Sequence, residues 1–320
     1  ENVRKMMDEI AAKERLEYGE KGSIEQARRT LAERFIVPPF SVLDARQGYW
    51  QERKKAWIAL GIESEVGRDN NLLKMSTTVA PDGQTSLFDP VLCELVYRWF
   101  MPAQGSVLDP FAGGSVRGIV AAMLGYQYTG IDLSARQIEA NRQQADELLT
   151  DNKPTWIVGD SKNISTLAPG EYDFIFSCPP YADLEVYSDD PNDLSNMAYP
   201  DFKIVYHEII YSAVSMLKPN RFACFVVGDV RDKKGFYRNF PAHTIEAFQD
   251  AGMTLYNEAV LVTAVGSLPI RVSKQFGGYR KLGKTHQNVL VFYKGDVADI
   301  KTWGEVECGV PDKSEHIEQL

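Results

Sequence analysis

From Ser106 to Gly252 the chain alternates short apolar runs with longer segments of helical period, and no other feature restricts the fold as much. The runs SVLD, YQYTGID, TWIVGD, YDFIFS and RFACFVVGD read as strands. SVRGIVAAMLG, SARQIEANRQQADELL, YPDFKIVYHEIIYSAVSML and AHTIEAFQDAG read as helices. Strands joined through helices run parallel, because the helix carries the chain back, and a parallel sheet needs cover on both faces. TLYNEAVLVTAV and QNVLVFYK follow with no helix read between them. They add two strands, seven in all, one of them antiparallel and expected at the sheet edge. The fold class is α/β.

In such sheets ligands sit at the carboxyl ends of the strands, near the point where strand order reverses. The first strand ends in Asp109-Pro110-Phe111-Ala112-Gly113-Gly114-Ser115, where small residues allow the backbone to approach a ligand and the next helix offers free amides. The second ends in Asp132, 23 residues after Asp109, the place of an acid that takes ribose hydroxyls. The third ends in Gly159-Asp160-Ser161. The fourth ends in Ser177-Cys178-Pro179-Pro180-Tyr181. Two prolines at the end of a buried strand remove ladder donors and make a rigid, kinked loop. Ahead of the sheet, Asp89-Pro90 reads as the N-cap and first residue of an amphipathic helix.

The 320 residues are 44% hydrophobic and 25% charged, enough for a substantial core, with a formal net charge of -9. That charge opposes indiscriminate polyanion binding, so a nucleic-acid role requires a local basic patch. Cys93, Cys178, Cys224 and Cys308 lie far apart, which favours neither a zinc site nor a disulfide framework. A reducing cytoplasm is expected. No run is long enough for a membrane span and ENVRKMMDEI has no signal-peptide core, so no membrane partner is expected; a start without Met is that of a processed or excised chain. Three regions are expected: a charged, helix-favouring extension ending in a polar linker (1–84), the α/β domain (85–296) and a tail (297–320). The oligomeric state stays open.

The ordered set DPFAGGS, GIDLS, VGD and CPPY resembles the S-adenosylmethionine-dependent DNA methyltransferases that modify exocyclic amino groups, across roughly residues 85–294. The resemblance implies a Rossmann-like class I methyltransferase fold, S-adenosyl-L-methionine as cofactor, DNA as partner, and transfer of a methyl group to the N6 of adenine or the N4 of cytosine in a flipped base. It implies cofactor binding by Asp109, Phe111 and Gly113 around the methionine part, Asp132 at the ribose and Asp160 near the adenine. TSLFDPVLCEL is similar to the helix-start motif beside the methionine end, with Phe88 and Asp89 as contacts. Segments around residues 38–57 and 280–294 are also similar to phage-type DNA modification methylases. Cys178, Pro179, Pro180 and Tyr181 match the catalytic loop, where a proline carbonyl and a side-chain acceptor orient the amine and Tyr181 offers a stacking face.

Two positions depart from that pattern. Ser115 stands where a second glycine is usual, and Cys178 stands where Asp, Asn or Ser precedes the prolines, with Ser177 one residue earlier. A thiol is a weak acceptor. Cys178 is therefore open to three readings: a poor amine acceptor, an inert loop thiol, or a nucleophile for pyrimidine C5 methylation. An RNA or protein methyltransferase is the other alternative. DNA contact is expected from RVSKQFGGYRKLGKTH, read as a hairpin loop carrying Arg271, Lys274, Arg280, Lys281 and Lys284. Arg46, Tyr49, Trp50, Arg53, Lys54, Lys55 and Trp57 form a second cluster, equally suited to a helix packing its tryptophans inward. The acidic loop after Tyr181 suits a lid.

Overall fold

The computed structural model describes residues 24–33, 35–62, 88–181, 193–266 and 268–306. Most of the expected lid (182–192 of 182–200), most of the expected linker and most of the C-terminal tail lie outside them. The described strands are β1 (Val42–Asp44), β2 (Ser106–Asp109), β3 (Gln127–Asp132), β4 (Thr155–Val158), β5 (Tyr172–Ser177), β6 (Leu217–Val227), β7 (Thr254–Val262) and β8 (His286–Lys294). They form one sheet in the order β1-β7-β8-β6-β5-β2-β3-β4. Every pairing is parallel except the two made by β8. The fold is thus the expected α/β class with a mainly parallel sheet.

Two details correct the expectation. The antiparallel strand is not at the edge: β8 is inserted between β6 and β7 and pairs with both. The sheet also has eight described strands, because β1 from the N-terminal segment adds to β7. Strand order reverses between β2 and β5, which pair side by side although β3 and β4 intervene in sequence.

The described α-helices are α1 (Ile24–Ala32), α2 (Gly48–Ala59), α3 (Pro90–Phe100), α4 (Val116–Met123), α5 (Ala135–Leu148), α6 (Ile164–Leu167), α7 (Tyr199–Ser215), α8 (Phe240–Asp250) and α9 (Leu268–Tyr279). Side chains alternate across the sheet with period two. Along β6, Phe222, Cys224 and Val226 join the core under α2 to α5, whereas Ala223, Phe225 and Val227 join the one under α7 and α8. Trp50 and Trp57 of α2 are buried in the first of these cores. The buried Glu94 carboxylate of α3 takes the Trp57 indole N–H at 2.9 Å and the Arg53 guanidinium at 2.7 and 3.0 Å. A buried ion pair survives only with its remaining hydrogen bonds filled, and Arg53 also donates to backbone carbonyls of Leu31 and Glu33. Trp50, Arg53 and Trp57 of the second aromatic and basic cluster therefore serve the core, whereas Arg46, Tyr49 and Lys55 are exposed, and the N-terminal segment shares that core with the sheet.

Candidate functional site

The loops after β2, β3, β4 and β5 meet at the carboxyl edge around the reversal point. Asp109 is fully buried. Its Oδ2 accepts from Arg117 Nε at 2.6 Å and the Tyr128 hydroxyl at 2.7 Å, and its Oδ1 from the Ser177 hydroxyl at 2.5 Å and the Phe111 N–H at 3.1 Å. Burial opposes the Arg117 charge, but Asp109 beside it more than restores it, so the guanidinium stays firmly protonated. Burial and then Asp109 push the Tyr128 hydroxyl well above its usual range, so it remains a donor. Four donors saturate a carboxylate. With its carboxylate so filled, Asp109 fixes the glycine loop from beneath.

Arg117 continues that task by donating to the carbonyls of Phe111 and Ala112 at 2.7 and 2.9 Å. Gly113 takes a positive φ of 51°, which a side chain would resist, and its N–H donates to Asp132 Oδ2 at 2.9 Å. Its carbonyl accepts from Asn141 Nδ2 at 2.7 Å. Ser115, the unexpected residue, is buried and bonded to Gln144, where it precedes α4 without facing the cleft. The half-exposed Asp132 also takes the Ser134 N–H at 2.8 Å, which starts α5. Gly130 keeps the loop close to β3, since a Cβ there would lie 2.8 Å from that of Ala112. Asp160 is half-exposed at the end of β4, where it accepts the Lys162 N–H and pairs with Lys162 Nζ at 3.1 Å; the Ser161 hydroxyl donates to the Pro110 carbonyl at 2.5 Å. Gly113, Asp132 and Asp160 are thus brought to one rim.

Phe88 and Asp89 stand at the start of α3. Phe88 packs edge-on against Phe176 at 5.8 Å and lies 4.7 Å from the Arg117 guanidinium. Asp89 caps α3 through Val91 N at 2.9 Å and Leu92 N at 3.3 Å, and it takes the Trp50 indole N–H at 3.2 Å and Lys54 Nζ at 3.3 Å. The cap was legible in the sequence. The Asp89 carboxylate thereby ties α2 to α3. Phe111 sits against Tyr206 and Phe225, at 6.0 and 6.4 Å.

The Pro-Pro-Tyr loop leaves β5 beside the glycine loop. Ser177 faces inward onto Asp109, and the next residue, Cys178, is half-exposed and packed against the edge of the first core, with Sγ 3.8 Å from the Tyr181 hydroxyl. Tyr181 is held at both ends: its ring meets Phe240 edge to face at 6.1 Å and its hydroxyl accepts from Gln287 Nε2 at 2.9 Å. A Cβ on Gly228 would lie 3.7 Å from Lys284 Cε and 3.8 Å from Tyr181 Cζ, so the end of β6, the tyrosine and this lysine converge. Burial lowers the Lys284 ammonium below its usual value while Asp229 acts the other way; burial, then Lys284, lowers His286.

The expected basic hairpin loop is a correction: α9 fills much of the β7–β8 connection. Lys274 is exposed on α9, and Arg271 falls on the same helix. Arg280 caps α9 by donating to the carbonyls of Phe276 and Gly277 at 3.1 and 2.8 Å. Lys281 and Lys284 turn toward the loops after β6 and β5. Sequence reasoning does not single out Gln287 or the run Arg231–Arg238. The second has a signal, four cations and two aromatics in eight residues; Gln287 has none. Among the described residues no group of three or more His, Cys, Asp or Glu could hold a metal, and no helix is long and apolar enough to cross a membrane.

No family model matches the chain, and no curated protein matches it in sequence. Solved structures similar to it include TrmN from Thermus thermophilus, 18% identical over 65% of this chain but 49% of that one, with a TM-score of 0.43. Magnesium protoporphyrin IX methyltransferase (ChlM) from Synechocystis PCC 6803 with bound SAM is 14% identical over 64% of this chain and 79% of that one, TM-score 0.41. A putative rRNA-methylase from Clostridium thermocellum is 12% identical over 66% of this chain and all (100%) of that one, TM-score 0.44. Identities and scores this low say nothing of substrate.

Proposed function

We propose that the chain is an S-adenosyl-L-methionine-dependent DNA methyltransferase that transfers a methyl group to the exocyclic amine of a flipped adenine or cytosine. The observation that carries this reading is the junction of two loops: Ser177 at the end of β5 is hydrogen-bonded to Asp109 at the end of β2, so the Pro-Pro-Tyr loop is anchored to the glycine loop. When bound, the cofactor supplies an electrophilic methyl group. Gly113 and Asp132 would hold its amino-acid and ribose parts, and Asp160 would lie toward its adenine. Pro179 and Pro180 would present a fixed carbonyl to the amine, and Tyr181, restrained by Phe240 and Gln287, would set the plane of the base. Orientation of the amine lone pair is then the chief contribution of this loop.

DNA, rather than another amine, is favoured by the cationic β7–β8 connection reaching the same loop through Lys284. Incubation with labelled cofactor and DNA, RNA or protein tests the reading, followed by mass spectrometry of the digested nucleosides. N6-methyladenine or N4-methylcytosine in DNA is the expected product. Label only in RNA or protein rejects DNA as substrate, and 5-methylcytosine rejects the amine.

A further inference from the structure

Between β6 and α8 the chain makes a compact hairpin that the function above does not use. Arg231 and Tyr237 pair as antiparallel bridge partners. The Asp232 N–H donates to the Phe236 carbonyl at 2.8 Å, and the Gly235 N–H to the Asp232 carbonyl at 2.9 Å. The Phe236 N–H donates to Asp232 Oδ1 at 2.9 Å, so the one acid of the hairpin closes its turn. Arg231 is fixed by the Gly235 carbonyl at 2.8 Å and by the Tyr237 ring at 3.8 Å from its guanidinium. Lys233 and Lys234 are exposed, as is Phe236 at 71%.

The hairpin touches the other basic element. Gly235 has φ +94°, and a Cβ there would lie 2.7 Å from Lys281 Cε, so the lysine stem crosses the turn where a side chain is absent. The β7–β8 connection, residues 263–285, contains five Lys and Arg and no Asp or Glu. Among the described residues, Lys233, Lys234 and Lys281 make no ion pair. A chain of net charge -9 thus gathers Lys233, Lys234, Lys281 and Lys284 at one rim, next to the loop that holds Tyr181, with Asp229 as the acid beside Lys284. Such crowding is unfavourable alone and is relieved by a line of phosphates.

We propose that the Arg231–Arg238 hairpin is a second phosphate-binding arm, which with Arg280–Lys284 grips the DNA backbone flanking the extruded base. This rests on the DNA reading above. Phe236 at the tip is placed to press on a base or sugar beside the gap, as apolar wedges do at unstacked steps.

The test measures binding of the full chain to a labelled duplex oligonucleotide between about 50 and 200 mM salt. Lys233→Glu with Lys234→Glu should weaken binding by about tenfold or more at the low-salt end and reduce the slope of log K against log salt by roughly 2. Lys233→Arg with Lys234→Arg should restore both. Cofactor affinity by calorimetry should stay unchanged in both variants, which separates a lost contact from a lost fold. If the wild type binds DNA and the glutamate variant matches it in affinity and slope, the hairpin is no arm and the DNA reading stands. If the wild type binds RNA but not DNA, the DNA reading falls and the proposed partner with it.

Discussion

Ser177 donates its hydroxyl hydrogen to Asp109 across 2.5 Å, joining the last residue of β5 to the last residue of β2, 68 positions earlier. Both residues are fully buried. The bond sets the spacing between the loop that would hold the methyl donor and the loop that would hold the acceptor. Ser177→Ala leaves one Asp109 lone pair without its donor, at a cost of about 1 to 3 kcal/mol. A lower Tm should accompany a fall in turnover larger than the loss of cofactor affinity. Unchanged turnover at full occupancy would mean that the two loops keep their register without it.

Asp132 both takes the Gly113 N–H and faces the rim. Asp132→Ala should weaken cofactor binding by about 1.5 to 3 kcal/mol, the range for charge-assisted hydrogen bonds. Calorimetry checks this, and unaltered affinity removes Asp132 from the cofactor site. Asp132→Asn should lose less, because its amide oxygen still accepts the Gly113 N–H.

Cys178 and Tyr181 test the mechanism from opposite sides. On the amine route Cys178→Ser retains or raises activity, since a hydroxyl is the better acceptor. A covalent route requires the thiolate, abolishes activity in that variant and traps an adduct on a fluorinated pyrimidine. Tyr181→Ala should lose a stacking contact worth about 1 to 3 kcal/mol and cut turnover while cofactor binding survives. Gln287→Leu should reproduce part of that loss, because it releases the Tyr181 hydroxyl at 2.9 Å without touching the ring.

At the opposite end of the sheet, burial would raise the Asp173 carboxyl, but Lys218 and Arg221, each at 3.0 Å, and the Ser106 N–H outweigh it and hold it below the usual value. A depressed folded value means that the stabilisation is present above the unfolded carboxyl pKa of about 3.9 and disappears as pH falls through the folded one. Asp173→Asn should therefore melt lower than the wild type at neutral pH, with the gap closing below about pH 4. A gap that persists in acid would assign the loss to packing.

The kinds of element and their chemistry were local and therefore legible. Period-two apolar runs, helical spacing, the Asp89-Pro90 cap, the glycine turn at Gly113 and the prolines after Ser177 each act within a few residues, and the described α/β sheet follows them. Lateral order was not legible, because two consecutive strands do not state which neighbour each will choose. Only the tertiary structure inserted β8 between β6 and β7, and that insertion brought Gln287 to Tyr181 across 106 positions and Lys281 to Gly235. The same applies to acids read as ligands. A sequence marks Asp109 and Asp89 as carboxylates at loop and helix starts, but which way each points depends on where Arg117, Tyr128 and Ser177, or Trp50 and Lys54, arrive from distant elements, since a buried carboxylate turns to the donors that satisfy it.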